Sequence, residues 1–269
     1  MPNPLFAANR VLDEFPLLTA EDLLLLEEIA WERGALVRSI ELQGAEARIT
    51  FGSKHSIISI SSQVTNHRRR RFCIAHELGH LEMHRWIFPM LFCTSQDISD
   101  STPPEKATVN QIEKEANAFA ASFLLPDRFF APLVLNQDPD LENIADLSDK
   151  FEVSLTATAI RYTSFCEEPI AIVFSQGQRI KWFQPSSEFS DLGVYIDVRS
   201  RLDPSSVAAK LLENASISNK PRRVAASTWL VPGKYENDAS ILEQSWVLKN
   251  YDAVLSLLWV DEEIYEDDF

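Results

Sequence analysis

Residues 69–85 read RRRFCIAHELGHLEMHR, and within them His76, Glu77, Leu78, Gly79 and His80 form an H-E-x-x-H arrangement. On a helix advancing about 100° per residue, His76 and His80 lie about 40° apart, one turn above the other. Two imidazoles so placed reach one zinc ion. Glu77 sits beside them, able to reach a water on the metal without ligating it. Cys73 and His84 share the same polar stripe, while Ile74, Ala75, Leu78, Gly79, Leu81 and Met83 cover most of the remaining circumference. The pattern predicts a largely buried helix with one polar stripe. Polar groups aligned in an apolar setting need a partner, and a zinc ion supplies one. Glu82 falls inside the apolar arc, where periodicity gives it no role.

A catalytic zinc needs a third protein ligand and one open position. The extended motif with a further histidine fails, because Trp86 stands where that histidine would be. The next helical pattern, VNQIEKEANAFAASFLL at 109–125, ends before Pro126 and offers Glu113 and Glu115. Both flank an apolar face of Ile112, Ala116, Phe119 and Phe123 on opposite sides, so periodicity leaves the choice open. Glu113 shares a ridge with Asn117, four residues on. A carboxylate with a polar residue one turn later could bind metal and also orient a ligand imidazole. A plain solvated amphipathic helix is the alternative reading.

Composition sets the frame. The chain has 269 residues, 45% apolar and 24% charged, as in ordinary soluble globular proteins. No run of about 18 apolar residues suggests a membrane span, and MPNPLFAANR lacks the basic start and apolar stretch of a secretory signal. Three cysteines make no disulfide framework, so a cytoplasmic location is expected. With 25 basic against 40 acidic residues the net charge is −15, and six of the last nine residues are acidic. Any nucleic-acid contact must therefore use a local basic patch. The candidates are residues 68–71, Arg68 and Arg69 among them, and the pair Arg222 and Arg223. At a helix start the arginine run opposes the helix dipole. It serves either a repressor peptide or nucleic-acid signal, or salt bridges to the acidic body.

The remaining elements follow from periodicity and turn residues. A helix is predicted over 19–33 with Thr19 as cap, and strands over 47–51 and 56–61 around Gly52-Ser53. Residues 86–108 read as a loop carrying at most a short helix. Two short helices around Glu152-Val153-Ser154 in 141–165 resemble a helix-turn-helix but lack a basic cluster. Beyond Glu168-Pro169 the period becomes two. A hairpin is predicted at 170–175 and 178–183, with strands at 194–198, 224–230, 245–249 and 254–260. A helix at 205–213 would be capped by Asp203 with Pro204 at its first position. The fold class is α+β: a mostly helical domain with a small sheet over 1–130, a helical connector over 131–167 and a mixed α/β domain over 168–269.

The run RRRRFCIAHELGHLEMH followed by IEKEANAFAASFLLP resembles the ImmA/IrrE family of metallopeptidases, and SIISIS and IADLSDKFEVSLTA also fit. The likeness spans roughly 25–165. It implies a zincin-like domain with a gluzincin-like site: ligands His76, His80 and Glu113, general base Glu77, and Asn117 behind the ligands. It favours Glu113 over Glu115 by its spacing ahead of Asn117 and Pro126. It implies a zinc cofactor, with manganese as a substitute, and cleavage of a helix-turn-helix repressor that relieves repression under stress. By the same likeness the C-terminal domain is expected to be a GAF-like sensor for a small molecule or nucleic acid. Two features depart from the pattern: a long insert containing cysteine and proline separates the two helices, and Glu82 replaces an expected apolar residue.

Cys93 lies in that insert. A thiolate there could occupy the water position and hold the enzyme off, as resemblance to the CapP-type members tied to anti-phage systems implies; the alternative is a buried cysteine among Phe88, Leu91 and Phe92. Cys73 reads as packing, and His55 and His67 as structural or exposed. An oxyanion donor is expected, with His84 and Tyr162 as guesses. Trp182, Phe183 and Trp229 suit base stacking or a core equally. The contrasting functional class is a zinc-containing protein that sequesters a repressor without cleaving it.

Overall fold

The computed structural model describes residues 3–15, 19, 21–85, 90–93, 107–135, 137–213, 217–231, 239–248 and 251–260, with 90–93 and 107–110 described by their backbone alone. Two compact units emerge. The first is Met1–Ala131 with Ser148–Ser154, the second Pro132–Leu147 with Leu155–Phe269.

The first unit opens with a helix that the sequence reading passed over, α1 (Pro4–Glu14). Its signal is local: the Asn3 side chain accepts from the Leu5 and Phe6 amides, and Pro4 stands in the first turn. The helix expected over 19–33 is instead a 3₁₀ turn, Glu21–Leu24, followed by α2 (Leu26–Glu32). Leu23 and Leu26 are both buried while Leu24 and Leu25 are exposed. A tighter turn of three residues aims the first two inward, and Leu25, at φ −78° and ψ 44°, breaks the helix. The Thr19 amide still donates to Asp22, the reciprocal half of a capping box, but its hydroxyl also donates there instead of accepting from a helix amide.

Strands β1 (Ala35–Ile40), β2 (Ala47–Thr50), β3 (Ser56–Ser61) and β4 (Met90–Cys93) form one sheet in the order β1-β3-β2-β4. β1 runs parallel to β3, and the other pairs are antiparallel. β1 escaped the reading because its burial does not alternate cleanly. β4 corrects the expectation of a loop or short helix at 86–108; its pairing partner β2 is distant in sequence. At the β2–β3 turn a Cβ on Gly52 would lie 2.2 Å from the His55 carbonyl oxygen, so only glycine fits.

Ala47, Ile49, Ile58 and Ile60 are buried, and β2 and β3 carry helix α3 (His67–Met83). The Asn66 side chain caps α3 through the Arg69 amide. Next come α4 (Ala107–Leu124), α5 (Asp127–Val134), α6 (Leu141–Lys150) and α7 (Leu155–Thr163), with Glu152 at φ 50° in the turn between α6 and α7.

Glu82, which periodicity could not place, binds two arginines. It accepts from Arg33 Nε at 2.8 Å and Nη2 at 3.0 Å, and from Arg10 Nη2 at 2.9 Å. This fork ties α1 and the end of α2 to the outer turn of α3. The arginine run is engaged inside the same unit. Arg68 binds Ser148 and Asp149, Arg69 binds Glu46, Arg70 binds Glu27 and Ser39, and Arg71 donates to the Leu23 and Leu24 carbonyls.

The second unit is built on a five-stranded antiparallel sheet, β6-β5-β9-β8-β7, of β5 (Ile170–Gln176), β6 (Arg179–Pro185), β7 (Arg222–Ala225), β8 (Ser240–Leu248) and β9 (Ala253–Trp259). α8 (Ser187–Asp191) and α9 (Val207–Leu212) complete it. The strand expected at 194–198 is absent: the segment is irregular, although Ile196 joins the core. The strand expected at 224–230 ends at Ala225 and passes into a 3₁₀ turn.

Helix α9 starts from Ser206 rather than Asp203. The reason lies far along the chain. Glu243, fully buried, accepts from the Val207 and Ala208 amides and from the Trp229 indole N–H. A carboxylate at that helix start satisfies amides that would otherwise be orphaned. Trp229 is thus committed to the core, while Trp182 stacks on Phe174 and Phe183 packs edge-on against Tyr195.

Candidate metal centre

Helices α3 and α4 pack against each other and bring three ligand groups together. The ligand atoms of His76, His80 and Glu113 all lie within 4.8 Å of one another, and all three residues are buried. His76 Nε2 stands 3.1 Å from Glu113 Oε2 and 3.1 Å from His80 Nε2; His80 Nε2 stands 3.4 Å from Glu113 Oε1. Glu77, on the same helix face, is fully buried.

The donor set fits a cation. His76 Nδ1 lies 2.9 Å from Asn117 Oδ1, an acceptor, so this nitrogen carries the proton and donates. In a neutral ring, Nε2 then presents a lone pair toward the His80 ring and the Glu113 carboxylate. Lone pairs and a carboxylate converging in a buried space require positive charge. Two imidazoles and one carboxylate are a donor set that can hold a divalent metal ion.

The protonation balance of the metal-free site agrees. Burial disfavours the imidazolium of His76, but the hydrogen bond that the protonated ring gives to Glu113 and nearby carboxylate charge outweigh it and raise its pKa. At His80 burial wins and the pKa falls to about 4. Burial pushes the Glu113 carboxyl up, yet the hydrogen bonds it would accept from the two rings when they carry a proton at Nε2 prevail and hold it at about 2. The cluster thus favours positive charge between the rings and the carboxylate, as a proton or as a cation.

The ambiguity between the two glutamates is resolved by geometry. Glu115 turns away from the cluster, and its Oε2 lies 3.1 Å from His84 Nε2. His84 Nδ1 in turn lies 2.9 Å from His80 Nδ1. Sequence reasoning had His84 on the metal stripe, and the repeated four-residue spacing of His76, His80 and His84 was the available signal. Its partner on α4 was not legible from spacing.

Other candidates stand elsewhere. Cys93 ends β4 with its Cα opposite Ala47, and its side chain lies outside the described atoms. Cys73 is buried, and burial pushes its thiol up to about 12. Tyr162 is fully buried in the second unit. Arg222 and Arg223 are exposed on β7, where Arg223 donates to the Ser240 hydroxyl. His55 stacks on Trp31, and the exposed His67 meets Glu152 at 2.7 Å. Among the described residues no helix is long and apolar enough to cross a membrane.

Comparison with known proteins agrees with this centre. Residues 32–163, which hold both site helices, match the family model of the IrrE N-terminal-like domain of the Peptidase M78 family. No curated protein matches the chain. Among solved structures, the chain is similar to one described as a Mycobacterium tuberculosis transcriptional regulator, at 16% identity and a TM-score of 0.59, covering 100% of this chain and 93% of that one. At that identity the likeness concerns the fold.

Proposed function

We propose that the protein is a zinc-dependent endopeptidase of the ImmA/IrrE type that cuts a helix-turn-helix repressor and so relieves repression. The observation that carries this reading is the buried convergence of His76, His80 and Glu113, with Asn117 behind the first ring and Glu77 beside them. His76 and His80 would hold the cation through Nε2, and Glu113 through its carboxylate. A zinc ion bound there, or manganese in its place, supplies acidification of a water and polarisation of a carbonyl. Glu77 accepts the proton of the attacking water and returns it to the leaving amine. Asn117 holds His76 in the tautomer that leaves Nε2 free.

The repressor as substrate is supported by the matched family and by the name of the fold neighbour. A GAF-like sensory role for the second unit is compatible with its five-stranded sheet and helix α9. Arg222 and Arg223, exposed on β7, are the side chains we assign to an anionic signal there. The unit holding the site spends Arg68 and Arg69 on internal pairs, so a signal or peptide reaching them must displace Asp149 and Glu46.

Incubation of the full chain with zinc and a helix-turn-helix protein encoded beside it tests the reading. One clean cut is expected, and Glu77→Gln should keep the metal and lose the cut. A Glu77→Gln protein that still relieves repression would instead establish a sequestering, non-cleaving regulator.

A further inference from the structure

We propose that His84 and Glu115 are positioning residues for the cation site: they fix the tautomer and the orientation of His80, and with them the affinity for the metal. This rests on reading His76, His80 and Glu113 as a cation site.

The direction of every hydrogen bond in the group is set from its far end. Glu115 is a carboxylate, and one of its oxygens already accepts from the Gln111 amide at 2.9 Å. Its other oxygen faces His84 Nε2, so that nitrogen must donate. A neutral His84 with its proton on Nε2 presents a lone pair at Nδ1. That lone pair faces His80 Nδ1 at 2.9 Å, so His80 Nδ1 carries a proton and donates. The lone pair of His80 is then left on Nε2, the nitrogen turned toward His76 and Glu113. With His84 neutral, each contact in the series has one donor and one acceptor, and the Glu115 carboxylate at the end sets their order. The tautomer needed for ligation is therefore imposed without the cation.

Burial makes the arrangement costly to keep for any lesser purpose. His80 and His84 are fully buried and Glu115 is 8% exposed. Placing a charge and two imidazoles there without pairing would be strongly unfavourable. Neither His84 nor Glu115 joins the cluster of convergent ligand atoms, so their effect passes through His80. The two ligand rings are thereby held by different means. His76 donates to a neutral amide oxygen, whereas His80 donates to an imidazole backed by an anion. The second device lends more electron density to the ligating ring.

The test uses the metal-free full-length chain, titrated with zinc against a chromophoric chelator. Cobalt substitution provides the visible spectrum as a readout of ligand geometry. His84→Phe should weaken zinc binding roughly 10- to 100-fold and alter the cobalt spectrum. His84→Gln, whose side-chain oxygen can accept from His80 Nδ1, should recover part of the loss. Glu115→Ala should also weaken binding, and the double variant with His84→Phe should be no weaker than His84→Phe alone, because the two act as one unit. A folded His84→Phe protein with parental affinity overturns the inference, as do fully additive losses. Should His84→Phe not fold, parental affinity in Glu115→Ala overturns it equally. A parent chain that binds no cation removes the underlying site reading, whereas a binding parent with unchanged variants removes this inference alone.

Discussion

Gly79 and Phe119 hold the two metal-site helices together at the limit of contact. A methyl group built on Gly79 would lie 3.0 Å from Phe119 Cδ1 and 3.1 Å from its Cβ and Cγ. Phe119 sits on α4 and is fully buried. The glycine that separates Leu78 from His80 is thus what lets α4 approach near enough for Glu113 to reach both rings.

Gly79→Ala should therefore destabilise the protein, although alanine is the better helix former by about 1 kcal/mol. Overpacking of this kind costs about 1–3 kcal/mol, and the Phe119 Cβ cannot swing aside by changing rotamer. The expected result is a lower denaturant midpoint in the metal-free chain and weaker zinc binding, since α4 carries Glu113. A midpoint that rises on substitution would show that α4 shifts freely and that the close approach does not position the ligand.

Glu82→Leu should cost about 3 kcal/mol, the low end for breaking a buried pair, because the Arg33 side chain keeps some access to water. The loss comes from the guanidinium left behind more than from the bond itself. Replacing Arg33 and Glu82 together by leucine should accordingly cost less than Glu82→Leu alone. Chemical denaturation of the two variants side by side reads the difference directly.

The parts of the fold written in local pattern were legible, and those set by distant partners were not. Helix α3 and the pair His76 and His80 follow from a single stretch of sequence, and the turn at Gly52 from its composition. The choice between Glu113 and Glu115 did not follow, because α4 buries both acids and periodicity sees only a solvated or an apolar face. Glu82 looked misplaced until Arg10 and Arg33 arrived from other helices. The start of α9 lies at Ser206, whose hydroxyl accepts from the Ala209 amide, and not at Asp203; Glu243, on a strand that follows much later, takes the Val207 and Ala208 amides and fixes that start. α1 is the exception: Asn3 and Pro4 announce it locally, by a cap and a first-turn proline and not by hydrophobic periodicity.

The two described thiols give a pH dependence of known sign. Burial is the largest cause at each, pushing Cys73 up to about 12 and Cys166 up to about 11. Folding thus favours the protonated thiols, whose ordinary value is 9.0. Their contribution to stability is fully present below that value and is lost as pH rises through it toward the folded values. Neither thiol should react with a disulfide reagent in the native chain at pH 8. Denaturant midpoints should fall between pH 9 and pH 11, and the fall should flatten when both residues are alanine. An equal fall in the alanine variant would assign it to other groups.

Cation binding should be visible as stability before any substrate is found. A ligand that binds only the folded chain adds about 2.7 kcal/mol at a free concentration 100 times its dissociation constant. Zinc should therefore raise the melting temperature of the parent, and a chelator should reverse the rise. Glu77→Gln should keep the full rise, because Glu77 is not among the convergent ligand atoms. Glu113→Ala should lose most of it, since two imidazoles alone grip the metal weakly. Glu115→Ala should fall between the two, losing orientation of His80 but no ligand. The order of these three shifts separates a ligand, an orienting group and a proton acceptor within one short stretch of two helices. A rise as large in Glu113→Ala as in the parent would place the cation elsewhere in the molecule and leave Glu77 with no water to deprotonate.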